Sequence, residues 1–308
     1  MSFEQAPRPG GTRRKPGRLG VGVIGAGRVG AVLGAALRAA EHAVVGVSAV
    51  SEASRERAEN LLPGVPVLEI PQIVERSELV LIAVPDDALP DLVAGLAAVG
   101  AWQPGQLVAH TSGRFGTAVL DPARKQGAIP LALHPAMTFT GLSLDLTRLP
   151  DCTFGVTAPA AVLPVAQALV VEMGAEPVVI DEQDRVIYHA ALAHASNHLV
   201  TLAAQSTQLL SGIGVERPDR LLGPLMRASL ENALAGGEGA LTGPVARGDA
   251  GTVASHSVAL SSAPEDVREA YIRLAAVTAR RAVQRGLLSP SQGQAIIEAL
   301  AVPGEENE

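Results

Sequence analysis

Cysteine, lysine, aromatic residues and long apolar runs are all scarce in this sequence. One cysteine, Cys152, stands in 308 residues. No intrachain disulfide can form, which fits a reducing cytoplasm. A lone cysteine next to a strand reads as packing and not as a nucleophile. Aromatics make up only 2%, so the core has to come from Ala, Val, Leu and Ile. Hydrophobic residues at 47% supply enough of these for one large domain or two ordinary ones. No apolar run of about 18 residues occurs, so no membrane span is expected. Positive charge is in deficit: 24 Lys and Arg face 31 Asp and Glu, for a net charge of −7. That balance argues against a general nucleic-acid partner. Lysine occurs only as Lys15 and Lys125, so residues 126–308 contain none. Residues 1–17 carry Arg8, Arg13, Arg14 and Lys15 among Pro and Gly without an apolar signal core. They read as a floppy, disordered arm and not as a secretion signal.

Glycine is what the chain has in a telling place. An apolar run over residues 19–24 ends in Gly25-x-Gly27-x-x-Gly30, and an Ala-rich helical stretch follows. Strand, glycine turn and helix form the context of a dinucleotide fingerprint. Gly25 permits the tight turn, Gly27 lets the backbone approach a pyrophosphate, and Gly30 lets helix and strand pack closely. Arg28 and Val29 lie in the loop, where free N–H groups at the helix start favour an anion.

Alternation of short strands and helices continues to about residue 181. Strands are predicted over 21–24, 43–47, 67–68, 79–84, 106–110, 129–133, 153–156 and 177–180. Helices are predicted over 29–40, 54–62 (capped at Ser54), 88–98, 117–125 and 159–173. This is the pattern of a doubly wound, mostly parallel α/β sheet. After Ile180 only helical patterns follow, over about 181–211, 218–235, 249–261, 264–284 and 289–300. The predicted organisation is an arm (1–17), a Rossmann domain (18–181), an all-helical domain (182–300) for substrate and dimerisation, and a flexible acidic tail (301–308).

Ligands of open parallel sheets bind beyond the carboxyl ends of the strands. After the second strand, the place of the acidic residue that suits NAD is taken by Ser48. Ser51 and Arg55 follow, a set that suits a 2′-phosphate and points to NADP(H). Ser51 and Ser54 serve equally as helix caps. Val84 and Pro85 turn the chain toward the cofactor, and Asp86 and Asp87 are candidate caps of the next helix. His110-Thr-Ser112-Gly and His134-Pro end the next two strands, which puts two histidines and a serine at the expected cleft.

The first long helix of the second half carries Tyr188-His189 and His194-Ala-Ser196-Asn197-His198. His194, Asn197 and His198 share one face at a 3.6-residue period. The H-x-x-x-H spacing lacks a third ligand for zinc. Polar side chains in this apolar run face either a ligand or a polar network between helices. Further on, Thr242-Gly-Pro-Val-Ala-Arg247 sets an arginine among small residues just before a helix start. Arg247 is a candidate carboxylate clamp, or else a surface residue.

Together VIGAGRVG, VPDDAL, HTSG, HPAMTF, YHAALAHASNHLVTL and LTGPVARGD resemble the 6-phosphogluconate dehydrogenase-like superfamily. More narrowly, they are similar to a Rossmann-like family with a helical domain, akin to the non-classical ketopantoate reductases. The resemblance spans about residues 19–285. It implies NADPH-dependent reduction of a small 2-oxo acid, 2-dehydropantoate to pantoate. A homodimer is expected because the long Ala/Leu face of the helical domain exceeds what one sheet edge can cover. Asn197 matches the family asparagine. The family lysine four residues earlier is replaced by Ala193, so His194, His189 or His134 is expected to supply the proton. The expected mechanism has Asn197, with Ser112 or Thr242, polarise the carbonyl, and Arg247 hold the carboxylate. The rival readings are an imine or other β-hydroxyacid reductase of the same fold, and a non-catalytic NADP-binding sensor or scaffold.

Overall fold

The computed structural model describes residues 18–301. The predicted arm, and the tail beyond Ala301, lie outside the described residues. The chain divides into two compact units, one ending at His194 and the other beginning at Ala195.

The first unit is built on seven strands in the order β2-β1-β3-β4-β5-β6-β7. These are β1 (Gly20–Ile24), β2 (Ala43–Ser48), β3 (Leu79–Ile82), β4 (Leu107–His110), β5 (Ile129–Pro135), β6 (Thr153–Thr157) and β7 (Glu176–Val179). Every pairing is parallel except β5 with β6. The helices between them are α1 (Arg28–Ala39), α2 (Glu52–Leu61), α3 (Ile70–Arg76), α4 (Leu89–Ala98), α5 (Asp121–Arg124), α6 (Leu144–Arg148) and α7 (Leu163–Glu172). All four residues of β3 are buried, as expected of a central strand covered on both faces. One core cluster packs Val21, Val23, Leu33, Leu37, Leu131 and Phe154 together, and the other holds Ile24, Ile73, Val80, Ile82 and Val108. Cys152 lies in the first of these, and burial pushes its thiol up to about 11. It is a packing residue, as expected.

Several local predictions need correction. The helix predicted over 117–125 is a 3-10 turn (Thr117–Leu120) followed by α5, and α6 was not foreseen. Residues 67–68 form no strand; Val67 makes a single bridge to Val47. Helix α2 begins at Glu52 and is capped by Ser51, whose hydroxyl accepts from the Ser54 N–H. That hydrogen bond satisfies an orphan donor three residues earlier than predicted. Helix α3 was not foreseen; Pro71 sits in its first turn and Gln72 accepts from the Glu69 N–H at 3.3 Å.

The long helix α8 (Arg185–Gly212) starts in the first unit and continues into the second. The second unit adds α9 (Pro218–Gly236), α10 (Pro244–Arg247), α11 (Ala250–Ala259), α12 (Glu265–Gln284) and α13 (Pro290–Leu300). Its core is small: Val253, Ala275, Ala279, Ile296 and Leu300. Helix α9 buries only Pro218 and leaves Leu221, Leu225, Leu230 and Leu234 exposed.

Candidate functional site

The glycine loop joins β1 to α1, and its geometry separates the three glycines. Gly25 has a φ of +98°, and a Cβ there would stand 2.6 Å from the Ala83 carbonyl oxygen. A Cβ on Gly30 would land on the Gly25 carbonyl oxygen. Protein packing therefore demands glycine at both. Gly27 differs: the nearest atom to its missing Cβ is the Ala83 carbonyl oxygen at 4.0 Å. It caps α1 without a side-chain hydrogen bond, so the first-turn N–H groups of Arg28, Val29 and Gly30 face space that a side chain would fill. That cradle fits the pyrophosphate of a dinucleotide.

The loop is braced from the neighbouring strand. Ser48 Oγ accepts from the Gly25 N–H at 2.9 Å, and the Ala26 N–H donates to the Ser48 carbonyl at 2.8 Å. Ser48 is buried and spends its acceptor on the loop, which leaves its hydroxyl hydrogen to donate. Ser51 and Ser54 are tied to each other: the Ser51 hydroxyl donates to Ser54 Oγ and the Ser54 hydroxyl to the Ser51 carbonyl. Arg55 is exposed on α2.

Sequence reasoning missed Arg57, two residues further along the same helix. Its Nη1 donates to the Ala26 carbonyl at 3.2 Å. A Cβ on Gly141 would stand 2.9 Å from Arg57 Cδ and 3.1 Å from Arg28 Cγ, so two arginine stems converge beside the loop. Neither has a carboxylate partner among the described residues. Nothing in the sequence distinguishes Arg57 from Arg55; only the helix rotation does. Val84 lies against Gly25, and Pro85 follows it.

Beyond β3, the carboxyl edge carries two aspartates, then histidines and hydroxyl groups after β4 and β5. Asp86 and Asp87 do not cap α4, whose N-cap is Ala88 without a side-chain bond; both pair with Arg114, at 3.7 and 3.5 Å. His110 is fully buried. The Ser112 N–H donates to its Nδ1 at 3.2 Å, and its Nε2 bonds the Gly116 carbonyl at 2.8 Å. An acceptor at Nδ1 and a carbonyl at Nε2 define one neutral tautomer. Burial lowers its pKa to about 4 against that Gly116 bond. His110 therefore holds the loop over residues 111–116 and stays uncharged near neutrality, its ring hydrogen committed to the Gly116 carbonyl. Ser112 is buried in the same loop, its Oγ accepting from the Phe115 N–H at 3.4 Å.

His134 is placed differently. Its Nδ1 lies 2.9 Å from the Tyr188 hydroxyl, and its ring meets those of Tyr188 and His189 edge-on at 5.6 and 5.9 Å. Gly113 admits them: a Cβ there would stand 2.6 Å from His189 Cδ2 and 2.9 Å from His134 Nε2. Burial, then His189, Arg185 and His110, bring the His134 pKa down to about 4. Arg185, also missed in the sequence, lies almost wholly buried under this group. Its Nε donates to Thr157 Oγ1 at 2.7 Å, and its Nη2 to the carbonyls of Ala132 and Gly155 at 3.0 and 3.1 Å. Its Nη1 is buried without a hydrogen-bond partner among the described residues, and burial lowers its pKa from the usual guanidinium value.

The remaining candidates fall elsewhere on the chain. His194 closes the first unit, whereas Asn197, Thr242 and Arg247 belong to the second. Asn197 is exposed on α8 and its carbonyl accepts from Thr201 Oγ1 at 3.3 Å. Thr242 and Arg247 are exposed on either side of Gly243–Ala246, and Asp249 caps α11 through the Thr252 N–H at 3.0 Å, as expected.

Residues 4–135 match the Rossmann-like domain family, and residues 152–278 match a domain of unknown function, DUF2520. No curated protein matches the chain. Among solved structures, the chain is similar to a candidate NADP oxidoreductase from Bacteroides fragilis, with a TM-score of 0.71 at 19% identity, covering 85% of this chain and 98% of that one. A protein from Thermotoga maritima gives a TM-score of 0.64 at 22% identity, covering 86% of this chain and 99% of that chain. An imine reductase from Pseudomonas sp. gives 0.57 at 17% identity, covering 92% of each. Identities this low establish the shared fold.

Proposed function

For a chain that joins a Rossmann-like domain to a DUF2520 domain, the architecture of the 6-phosphogluconate dehydrogenase-like superfamily, we propose an NADPH-dependent reductase of a small 2-oxo acid. 2-Dehydropantoate is the best candidate substrate, on the motif resemblance. The observation that carries the cofactor is the open cradle at Gly27, bounded by two glycines that packing requires. Arg28 and Arg57 stand beside it without carboxylate partners among the described residues and suit the extra phosphate of NADP. NADPH, when bound, supplies the hydride.

The electrostatics favour an anionic substrate over an iminium cation. The charged or titratable groups that act on His134 are His189, Arg185 and His110, all basic. The nearby carboxylates are engaged: Asp86 and Asp87 with Arg114, and Glu182 with the backbone N–H groups of Thr117 and Ala118. The Arg185 guanidinium is the fixed positive charge among these groups, and it lowers the energy of a carboxylate and of a developing alkoxide. Arg247 is the proposed carboxylate clamp, Asn197 a donor to the carbonyl, and His189 or His194 the proton source. We also infer a homodimer, because the apolar row on α9 needs cover from water.

NADPH and NADH oxidation with 2-dehydropantoate, a panel of 2-oxo acids and a panel of cyclic imines tests this reading. Turnover with 2-dehydropantoate and NADPH is expected, and Arg247→Ala should raise KM for the acid at least tenfold. Turnover on imines alone would reject the 2-oxo acid. Tight NADPH binding with no turnover on any of these compounds would favour a sensor.

A further inference from the structure

The first turn of α8 rests on a floor of small residues where β5 and β6 pair. Ala132 faces Thr157 and His134 faces Gly155 across the antiparallel ladder. Tyr188 lies so close to Gly155 that a Cβ there would stand 2.6 Å from the hydroxyl oxygen. Arg185, one turn earlier, is anchored to the same floor by three hydrogen bonds, and its guanidinium carbon is 5.8 Å from the centre of the Tyr188 ring. The phenol is thus fixed from below and from behind.

The bond between Tyr188 and His134 has two possible directions, and the surroundings select one. Burial raises the Tyr188 pKa, against the Arg185 charge, so the phenol keeps its hydrogen. Among the described residues its hydrogen-bond partner is His134 Nδ1, at 2.9 Å. Tyr188 therefore donates that hydrogen to the neutral ring. Protonation of the ring is opposed by burial and by His189, Arg185 and His110. A neutral imidazole that accepts at Nδ1 carries its hydrogen on Nε2. That nitrogen has no hydrogen-bond partner among the described residues, is not one of the sealed unpartnered atoms, and looks out over the missing Cβ of Gly113.

We propose that Tyr188 is a positioning residue, whose hydroxyl fixes the His134 proton on Nε2 so that a neutral N–H is offered at Gly113 to the oxygen of the substrate carbonyl. For its substrate this rests on the reductase reading. A neutral imidazole N–H polarises a carbonyl and keeps its proton. His134 is then a hydrogen-bond donor and not the acid, which leaves proton transfer to His189 or His194.

The test is nitrogen-15 NMR of the full chain labelled at histidine, with His134 assigned by the signals lost in His134→Gln. At neutral pH the wild type should show a protonated Nε2 and an unprotonated Nδ1, with no imidazolium formed as pH is lowered to about 5.5. A protonated Nδ1, averaging between the nitrogens, or titration near the ordinary histidine value would overturn the assignment. In Tyr188→Phe the two nitrogens should average, and kcat should fall roughly tenfold with little change in KM. A Tyr188→Phe protein that loses thermal stability but keeps the Nε2 tautomer would make Tyr188 merely structural. The spectrum needs no turnover: the expected tautomer in a protein that reduces no 2-oxo acid defeats the reductase, whereas an active enzyme with Nδ1 protonated defeats the positioning role.

Discussion

Two alanine substitutions in the glycine loop should have opposite consequences, although they lie three residues apart. Gly27 has φ −71° and ψ −170°, which alanine adopts without strain, and the nearest atom to a new Cβ is 4.0 Å away. Gly27→Ala should therefore leave the fold intact, or stabilise it by about 0.5 kcal/mol through a less flexible unfolded chain. The methyl would, however, occupy the cradle and hold a pyrophosphate off the first-turn N–H groups. Loss of one such charge-assisted bond, at roughly 1.5–3 kcal/mol, weakens NADPH binding about tenfold to a hundredfold. Gly30→Ala places its methyl on the Gly25 carbonyl and within 2.9 Å of Ala83 Cβ. Backbone cannot move aside cheaply, so a loss of about 1–3 kcal/mol or more is expected. Thermal melting with and without NADPH, together with fluorescence titration, separates the two effects. Wild-type NADPH affinity in Gly27→Ala would refute the pyrophosphate site. A destabilised Gly27→Ala would refute the claim that only a ligand needs that space.

Three other outcomes follow from the same geometry. Arg57→Ala should weaken NADPH about tenfold, with little change for NADH, while Arg55→Ala has less effect; equal losses for both cofactors by titration would remove Arg57 from the 2′-phosphate. His110 binds its proton only at about 4 when folded, against 6.5 when unfolded, so the unfolded chain holds more protons between these values. Its contribution is fully present above pH 6.5 and declines as pH falls toward 4, by roughly 3 kcal/mol in all. Urea unfolding across that window should show a shallower decline in His110→Gln, and an unchanged slope would contradict the buried neutral ring. Leu225→Glu puts a charge in the apolar row of α9 and should convert a dimer to monomer in light-scattering measurements; a monomeric wild type would dispose of the dimer.

How much of this was legible in the sequence depends on whether the information is local. The glycine turn, the alternation of strands and helices and the switch to helices after Ile180 are contiguous patterns, and each survives in the structure. Caps are nearly local: Ser51 and Ser54 both had cap chemistry, and Ser51 takes the role because its hydroxyl reaches the free Ser54 N–H. Asp86 and Asp87 had cap chemistry too, but Arg114, distant in sequence, claims both.

Within the site, residue type alone determined that histidines, hydroxyls and an arginine would gather at strand ends, since a parallel sheet presents its carboxyl edge to ligands. It also determined that no lysine could serve as the acid in the second half of the chain. Tertiary structure decided what each histidine does. His110 and His134 end adjacent strands, but one is closed between Ser112 and Gly116 while the other opens over Gly113. Arg185 and Tyr188 were ordinary helix residues until the β5–β6 pairing put Gly155 beneath them. Protonation state and tautomer follow from burial and from partners that the fold brings to each ring, two and six residues from His110 but 54 from His134; a one-dimensional pattern shows neither the burial nor the contact.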